Sequence, residues 1–141
     1  MIDFEPSEDQ RLMQDSVATF AKATLAPRAR EFERLRAVPD DVRLLAHEMG
    51  LGLIAIPESA GGSGLGLTTA VLLEEELGSA DAGAAFGLGG PGSFGAAVVE
   101  LAPDQAAALL ADFAAADGHA RFGAVAFSEP KANKERAGFS T

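Results

Sequence analysis

The glycine-rich segment Gly61–Gly66 is the first place in this sequence where chemistry could occur. It holds four glycines in six residues, between the apolar run Leu51–Ile56 and a helical pattern that begins near Thr68. Glycines between a β-like run and a helix can cradle a phosphate. A phosphate loop also needs a lysine after its last glycine, and Leu67 stands there instead; the dinucleotide-binding glycine spacing is not matched either. We therefore interpret the segment as a tight structural turn.

The remaining polar residues give weak signals for catalysis or metal binding. His47 and His119 are far apart in sequence and lack the spacing of zinc ligands, so no metal site is predicted. The chain has no cysteine, which excludes thiolate ligands, disulfides and a cysteine nucleophile. The run Glu74–Glu76 could supply a general base, but three successive carboxylates on a helix are more typical of a solvated face.

The segment Ala82–Ala97 is unusually rich in glycine and alanine. Small residues let another group approach the backbone closely. That group could be a neighbouring helix, which we favour, or an apolar ligand chain lying in a slot.

Composition and charge limit the classes of protein to consider. The chain has 141 residues, 48 % of them hydrophobic, and a net charge of −10. One globular domain is expected at this length, and the negative charge argues against a nucleic-acid or anionic-membrane surface. The acidic N-terminus lacks an apolar signal core, and no apolar run reaches the ~18 residues of a membrane span. We therefore expect a cytoplasmic protein with no nucleic-acid or membrane partner.

Helical patterns cover most of the chain as far as about residue 116. Ser7 and Gln10 have the form of a capping box, Asp81 is placed to cap a later helix, and Gly50 follows a helix as a left-handed cap would. The predicted helices are about Glu8–Thr24, Pro27–Arg36, Asp40–Met49, Thr68–Leu77, Ala82–Leu88, Phe94–Leu101 and Pro103–Ala116. In the helix Asp40–Met49, apolar periodicity predicts a buried stripe of Val42, Leu45, Ala46 and Met49.

The last part of the chain has a different pattern. Phe122–Phe127 reads as a strand ending at Ser128-Glu129-Pro130. This strand has no partner in the chain, and an unpaired strand leaves its backbone groups unsatisfied. Either the chain continues into a β domain or another chain supplies the sheet.

Several short segments occur together in a recognisable order. They are Ala26-Pro27-Arg28, Met49-Gly50-Leu51, Ile56-Pro57-Glu58, Gly61-Gly62-Ser63-Gly64, Glu75-Glu76-Leu77 and Ser128-Glu129-Pro130. This order and spacing resemble the N-terminal part of the acyl-CoA dehydrogenase family, up to about Pro130.

The resemblance implies a fold and an activity. The fold is mainly α, with an orthogonal or up-down helical N-terminal domain over residues 1–120; residues 121–141 then start a middle β domain with one C-terminal strand. Family members use FAD for α,β-dehydrogenation of an acyl-CoA thioester: a glutamate takes the α-proton and flavin N5 takes the hydride. That glutamate is expected beyond Thr141, so no catalytic residue is predicted within this chain.

The resemblance also implies binding residues. Phe127 and Ser128 would be flavin neighbours, with the Ser128 hydroxyl near N5. The acyl slot would be lined by Ala85, Phe86, Gly89 and Gly90. The family further implies a homo- or hetero-oligomer and an electron-transfer flavoprotein as a partner.

One segment departs from the family pattern. Lys131-Ala-Asn-Lys134-Glu135 stands where the family usually shows Gly-x-Gly-Ser-Asp, whose serine contacts phosphate groups of the substrate or cofactor. Two hypotheses follow. The chain is part of a flavoenzyme, a dehydrogenase or an oxidase or monooxygenase relative, or it is a non-catalytic helical module of a hetero-oligomeric flavoprotein.

Overall fold

Helices dominate the computed structural model, which describes residues 5–126. Within that range six α-helices are joined by short 3-10 turns and one π turn. The helices are α1 (Glu8–Phe20), α2 (Ala29–Leu35), α3 (Asp40–Glu48), α4 (Leu67–Gly87), α5 (Gly92–Leu101) and α6 (Ala106–Ala114). The predicted mainly α fold is confirmed, whereas the domain division at residue 120 stays a prediction.

The predicted capping box begins α1. The Ser7 N–H donates to Gln10 Oε1 at 2.9 Å, and the Gln10 N–H donates to Ser7 Oγ at 3.2 Å. Gln10 Nε2 also donates to Thr69 Oγ1 at 2.9 Å. Because Thr69 is a buried polar residue on the first turn of α4, this bond satisfies it and fixes the start of α1 against the start of α4.

The chain stays helical between α1 and α2 but changes its winding. A π turn covers Ala21–Leu25 and a 3-10 turn covers Ala26–Arg28. Pro27 has no N–H to continue the hydrogen-bond ladder of α1, so the helix cannot run on unchanged. Arg28 then bonds to Glu31 at 2.8 Å and to Asp41 at 2.7 Å, and these hydrogen bonds lower the pKa of both carboxyls. One guanidinium thus links α2 to α3.

The buried face of α3 differs from the predicted one. Val42 and Ala46 are buried as expected, but Leu45 and Met49 are 46 % and 43 % exposed. The other flank of the buried face is taken by two polar residues, Arg43 and His47, whose side chains contact Phe122 and the Ala115 carbonyl. The buried stripe is therefore rotated away from the two apolar residues that periodicity selected.

Two apolar clusters form the core. The larger one joins α1, α2, α3 and the length of α4; the smaller one joins residues 53–60 to α5 and α6. The buried members of the larger cluster are Val17, Phe20, Ala21, Leu25, Phe32, Val38, Val42, Ala46, Leu51, Ile54, Leu73, Leu77, Ala84 and Leu88. Those of the smaller cluster are Leu53, Ile56, Ala60, Val98, Ala106 and Leu110.

The glycine loop folds back onto the segment before it. Leu51–Leu53 forms a 3-10 turn, so the apolar run Leu51–Ile56 is not a strand despite its β-like pattern. The backbone N–H groups of residues 61–65 all donate to carbonyls of residues 53–58, at 2.8–3.1 Å. Gly61 and Gly64 have φ of +85° and +64°, which only glycine adopts readily. Since these five amides are already bonded within the chain, they are not available to a phosphate, and the structural-turn interpretation is confirmed.

α5 and α6 form an apolar corner. They are joined by the 3-10 turn Pro103–Gln105, and the Phe94 and Phe113 rings pack with their centres 6.0 Å apart. Among residues 5–126, no single helix has both the length and the apolar character to cross a membrane. α5 and the following helical segment reach both together, but they are bent by 117° to each other.

The predicted strand Phe122–Phe127 is not a strand over its described part. Residues 122–126 make a single parallel bridge, between Phe122 and Gly90. The prediction that this segment has no pairing partner in the chain is therefore wrong at one residue, since Phe122 pairs with Gly90. A ladder needs a second extended segment of several residues, and the residues around Gly90 turn into α5 too soon to provide one. Phe127 itself lies outside the described residues.

Candidate functional site

A break in α4 positions the predicted acyl-slot residues Ala85 and Phe86. Asp81 has non-helical φ and ψ of −162° and 104°, and its carboxylate accepts a hydrogen bond from the Ala84 N–H at 2.9 Å. Asp81 therefore caps a second helical piece, as predicted. On that piece Ala85 packs against the larger core cluster, whereas Phe86 is 91 % exposed. The two neighbours face different surroundings.

Replacing Asp81 by alanine tests this cap. We expect a loss of about 1 kcal/mol in the free energy of unfolding, since the Ala84 N–H loses its acceptor. Chemical denaturation followed by circular dichroism measures it. Asp81→Asn keeps an acceptor oxygen and should retain most of the stability; equal losses in both variants would contradict a capping role.

Gly89 and Gly90 lie where two backbone segments cross. Their φ angles are +95° and +113°, and a Cβ on Gly90 would stand 3.1 Å from the Cα of Gly52. The Gly90 N–H donates to the Arg121 carbonyl, and the Gly123 N–H donates to the Gly90 carbonyl, both at 2.9 Å. The chain's own backbone thus accounts for these two small residues. The cavity beside them measures about 10 Å³, room for about one water molecule.

The four acyl-slot residues are therefore not gathered around one pocket of residues 5–126. Ala85 faces the core, Phe86 faces solvent, and Gly89 and Gly90 face other backbone. Their assignment to an acyl slot stays a prediction.

The predicted flavin neighbours Phe127 and Ser128 lie outside the described residues. The segment leading to them is held firmly as far as Gly123, where a Cβ would come within 2.1 Å of the Pro91 carbonyl oxygen. The Arg43 guanidinium lies over the Phe122 ring at 5.6 Å, a cation–π contact. These contacts fix the direction in which the chain leaves the helical domain.

The two histidines are brought together by the fold. Their ring centres are 6.2 Å apart, His47 Nε2 lies 2.9 Å from the Ala115 carbonyl oxygen, and His119 Nε2 lies 3.8 Å from Asp40. Across residues 5–126, no group of three or more histidine, cysteine or acidic side chains is arranged to hold a metal ion. The pair's evident role is to join α3 to the turn Gly118–Ala120.

Of the three successive glutamates, Glu74 has an unusual environment. Glu75 is exposed to solvent, whereas Glu74, although still exposed, lines a groove between α4 and α5 of about 380 Å³. Partial desolvation by the groove raises the pKa of Glu74 above its ordinary value. The solvated-face interpretation thus holds for Glu75 but only partly for Glu74.

Glu74→Gln tests this environment through pH. Because the folded chain binds the Glu74 proton more tightly than the unfolded chain, stability falls as pH rises from the ordinary glutamate pKa through the raised one. The glutamine variant should therefore be more stable than the parent at neutral pH, by no more than about 0.5 kcal/mol because the side chain is solvated. The difference should vanish at roughly pH 3. Melting curves across pH measure it, and Glu75→Gln, the control, should show no such trend.

Sequence reasoning missed two features of this region. The contact of Arg43 with Phe122 joins residues 79 positions apart, and no local pattern marks it. The groove beside Glu74 could have been suspected from the three-glutamate run, since one of three successive helical positions must lie near the apolar boundary.

With this geometry established, comparison with known proteins identifies the family. A family model described as the N-terminal domain of acyl-CoA dehydrogenase matches residues 7–117. The chain belongs to the acyl-CoA dehydrogenase family. The match covers every α-helix of residues 5–126, so the helical core is the family's N-terminal domain and the predicted resemblance is confirmed.

Individual acyl-CoA dehydrogenases agree over roughly half of the chain. Benzylmalonyl-CoA dehydrogenase of Aromatoleum aromaticum is 36 % identical over 76 residues, which are 54 % of this chain and 20 % of that protein. Mitochondrial isobutyryl-CoA dehydrogenase of Dictyostelium discoideum is 37 % identical over 75 residues, 53 % of this chain and 18 % of that protein. The aligned part is thus about a fifth of these relatives' length.

A solved structure shares the fold over nearly the whole chain. It is described as the electron transferring flavoprotein of Acidaminococcus fermentans, in work towards a mechanism of flavin-based electron bifurcation. The TM-score is 0.75 at 29 % identity, covering 95 % of this chain and 35 % of the other. This chain therefore has the fold of one part, about a third, of that longer chain.

Proposed function

We propose that this chain is the helical N-terminal part of an FAD-dependent acyl-CoA dehydrogenase that carries out α,β-dehydrogenation of an acyl thioester. The observation that carries the proposal is the family match over residues 7–117. The structural match at a TM-score of 0.75 supports it. The relatives named above are dehydrogenases of different acyl-CoA thioesters, which supports the substrate class but not a particular acyl group.

The placement of Phe86 supports an acyl slot that is completed from outside the domain. Its phenyl ring is 91 % exposed, which leaves most of its apolar area for another surface to cover. It stands on the helical piece that Asp81 caps. In the proposed enzyme, Phe86 forms part of one apolar wall of the slot, and another domain or subunit supplies the opposite wall.

Among the described residues, we assign a role beside FAD only to the segment that leads to Phe127 and Ser128. The amides of residues 61–65 are all bonded within the chain, so they are not available to the cofactor's phosphates. The bonds between Gly90 and residues 121–123 do fix the start of the segment that leads to Phe127 and Ser128. When bound, FAD supplies the hydride acceptor. This chain's part is to orient the segment beside it and to keep water from the acyl chain, while the proton-abstracting base is contributed from beyond Thr141.

The same proposal includes an electron-accepting partner. The structure whose fold matches 95 % of this chain is described as an electron transferring flavoprotein, which supports a protein of that class as the partner. We also propose that the working protein is an oligomer.

A non-catalytic module is the second candidate. The observation that favours it is the segment Lys131–Glu135, which replaces the family's Gly-x-Gly-Ser-Asp. Without the serine, a phosphate contact is lost, and the chain would then act as a helical subunit whose partner carries the flavin.

Two chimeras distinguish the candidates. In the first, residues 1–126 replace the matching part of the Dictyostelium isobutyryl-CoA dehydrogenase; in the second, residues 1–135 do so. Flavin absorbance and dye reduction with isobutyryl-CoA are measured for both. The enzyme proposal expects yellow, active protein from both chimeras.

The outcomes distinguish an effect of the helical domain from an effect of the segment Lys131–Glu135. If the first chimera is active and the second loses its flavin, the altered segment is the cause and the module is favoured. If the first chimera folds and binds flavin but has no turnover, the helical domain itself does not support the chemistry, and the enzyme proposal is overturned.

A further inference from the structure

The groove between α4 and α5 has an almost wholly apolar lining. Its floor is the segment Leu51–Ile56, and its walls carry small residues, among them Ala70 and Ala96. The exceptions are two carboxylates, Glu74 on α4 and Glu100 on α5. Small side chains on both walls allow the backbone of a bound segment to approach closely. Burial of that segment's aliphatic side chains against the apolar floor is favourable, because it removes apolar surface from water.

The two carboxylates lack counter-charges. Within residues 5–126 neither Glu74 nor Glu100 makes a hydrogen bond or ion pair with its side chain, and no lysine or arginine lines the groove. A carboxylate beside apolar groups is stabilised when a cation reaches it. The groove is therefore electrostatically complementary to a ligand that carries a lysine or arginine.

The geometry favours a helix as the occupant. Both walls are helices, whose backbone amides and carbonyls are already bonded within the helix, so an extended peptide would find no sheet edge to join. The stretch Leu67–Glu74 covers two helical turns, about 10 Å at ~1.5 Å per residue. That length suits the positions i, i+3 or i+4, and i+7 of an incoming helix.

The apolar surface continues past the groove. Leu67 at its end is 75 % exposed, and Val71 on the same helix is 48 % exposed. Together with the groove, these two residues extend the apolar surface beside the two carboxylates.

We propose that the α4–α5 groove binds an amphipathic helix of a separate polypeptide, which places aliphatic residues on the floor and a lysine or arginine between Glu74 and Glu100. The chain's net charge of −10 speeds encounter with such a basic partner. The proposal does not depend on flavin or acyl-CoA chemistry.

A labelled synthetic peptide tests this with the 141-residue chain. The probe is a helix of roughly 14 residues with leucines along one face and two lysines beside them; a matched peptide carries glutamate in place of lysine. Fluorescence anisotropy should show binding of the lysine peptide that weakens as salt rises, and at least about ten-fold weaker binding of the glutamate peptide.

Charge reversal locates the site. Glu74→Lys should weaken the lysine peptide's binding about ten-fold, whereas Glu75→Lys, the same charge change outside the groove, should leave it within about two-fold. Circular dichroism confirms that both variants are folded. No binding of the lysine peptide, or equal effects of the two substitutions, would overturn the proposal.

Other occupants give different results. Concentration-dependent dimerisation that Glu74→Lys abolishes would assign the groove to a second copy of this chain. Displacement of the probe by a peptide of residues 127–141, which contains Lys131 and Lys134, would assign it to the chain's own sequence. Either result would overturn the choice of a separate polypeptide.

Discussion

Replacing Gly62 by alanine is expected to lower the free energy of unfolding by about 2–4 kcal/mol, because the loop has no room for a methyl group. A Cβ at this position would stand 2.2 Å from the carbonyl oxygen of Ile56 and 2.6 Å from its carbonyl carbon. That carbonyl cannot move away without cost, since it accepts the Gly64 N–H at 2.8 Å. Relief of the clash would also disturb Ile56, a buried member of the smaller core cluster.

Substitutions at two other glycines are expected to change the free energy of unfolding by different amounts from Gly62→Ala. Urea denaturation measures all three variants. Gly64 has φ of +64° but only the Glu58 side chain and backbone within 4 Å of a Cβ, so Gly64→Val should cost about 1 kcal/mol through backbone strain. Gly78 lies inside α4 with open space around it, so Gly78→Ala should stabilise by up to about 1 kcal/mol. If Gly62→Ala cost no more than Gly64→Val, the tight contact with Ile56 would not exist.

Leu110→Ala is expected to cost about 2–5 kcal/mol, the range for removing a fully buried leucine. Leu110 is 0 % exposed and lies in the smaller cluster, which holds α5 and α6 to residues 53–60. Since such domains are stable by only about 5–15 kcal/mol, this loss would be a large fraction of the total. Thermal and urea unfolding should both report it.

The neighbouring residue provides the control. Leu109 is on the same helix and 43 % exposed, so Leu109→Ala makes the same chemical change with less burial lost. It should cost less than about 1 kcal/mol. Similar losses for the two variants would mean that α6 does not present the face seen in the structure.

The site could be predicted from the sequence only in part. The Asp81 cap was found because a carboxylate and the amide three residues later form a local pair. The acyl-slot and flavin residues came from family resemblance alone, and for Gly89 and Gly90 the structure supplies a different reason for their size. The partner of Gly90 is Gly52, 38 positions earlier in the chain, and no local rule connects two such residues.

By itself the sequence determined the helices, their caps and the turn at Gly61–Gly66, because each depends on hydrogen bonds and backbone angles among residues close in the chain. It also determined the family, through motifs that keep their order. Only the tertiary structure decided that Arg43 and His47, rather than Leu45 and Met49, flank the buried face of α3. It likewise decided that Glu74 faces a groove while Glu75 faces water. These outcomes depend on which distant segments pack together, and periodicity gives a helix its apolar face but not its neighbours.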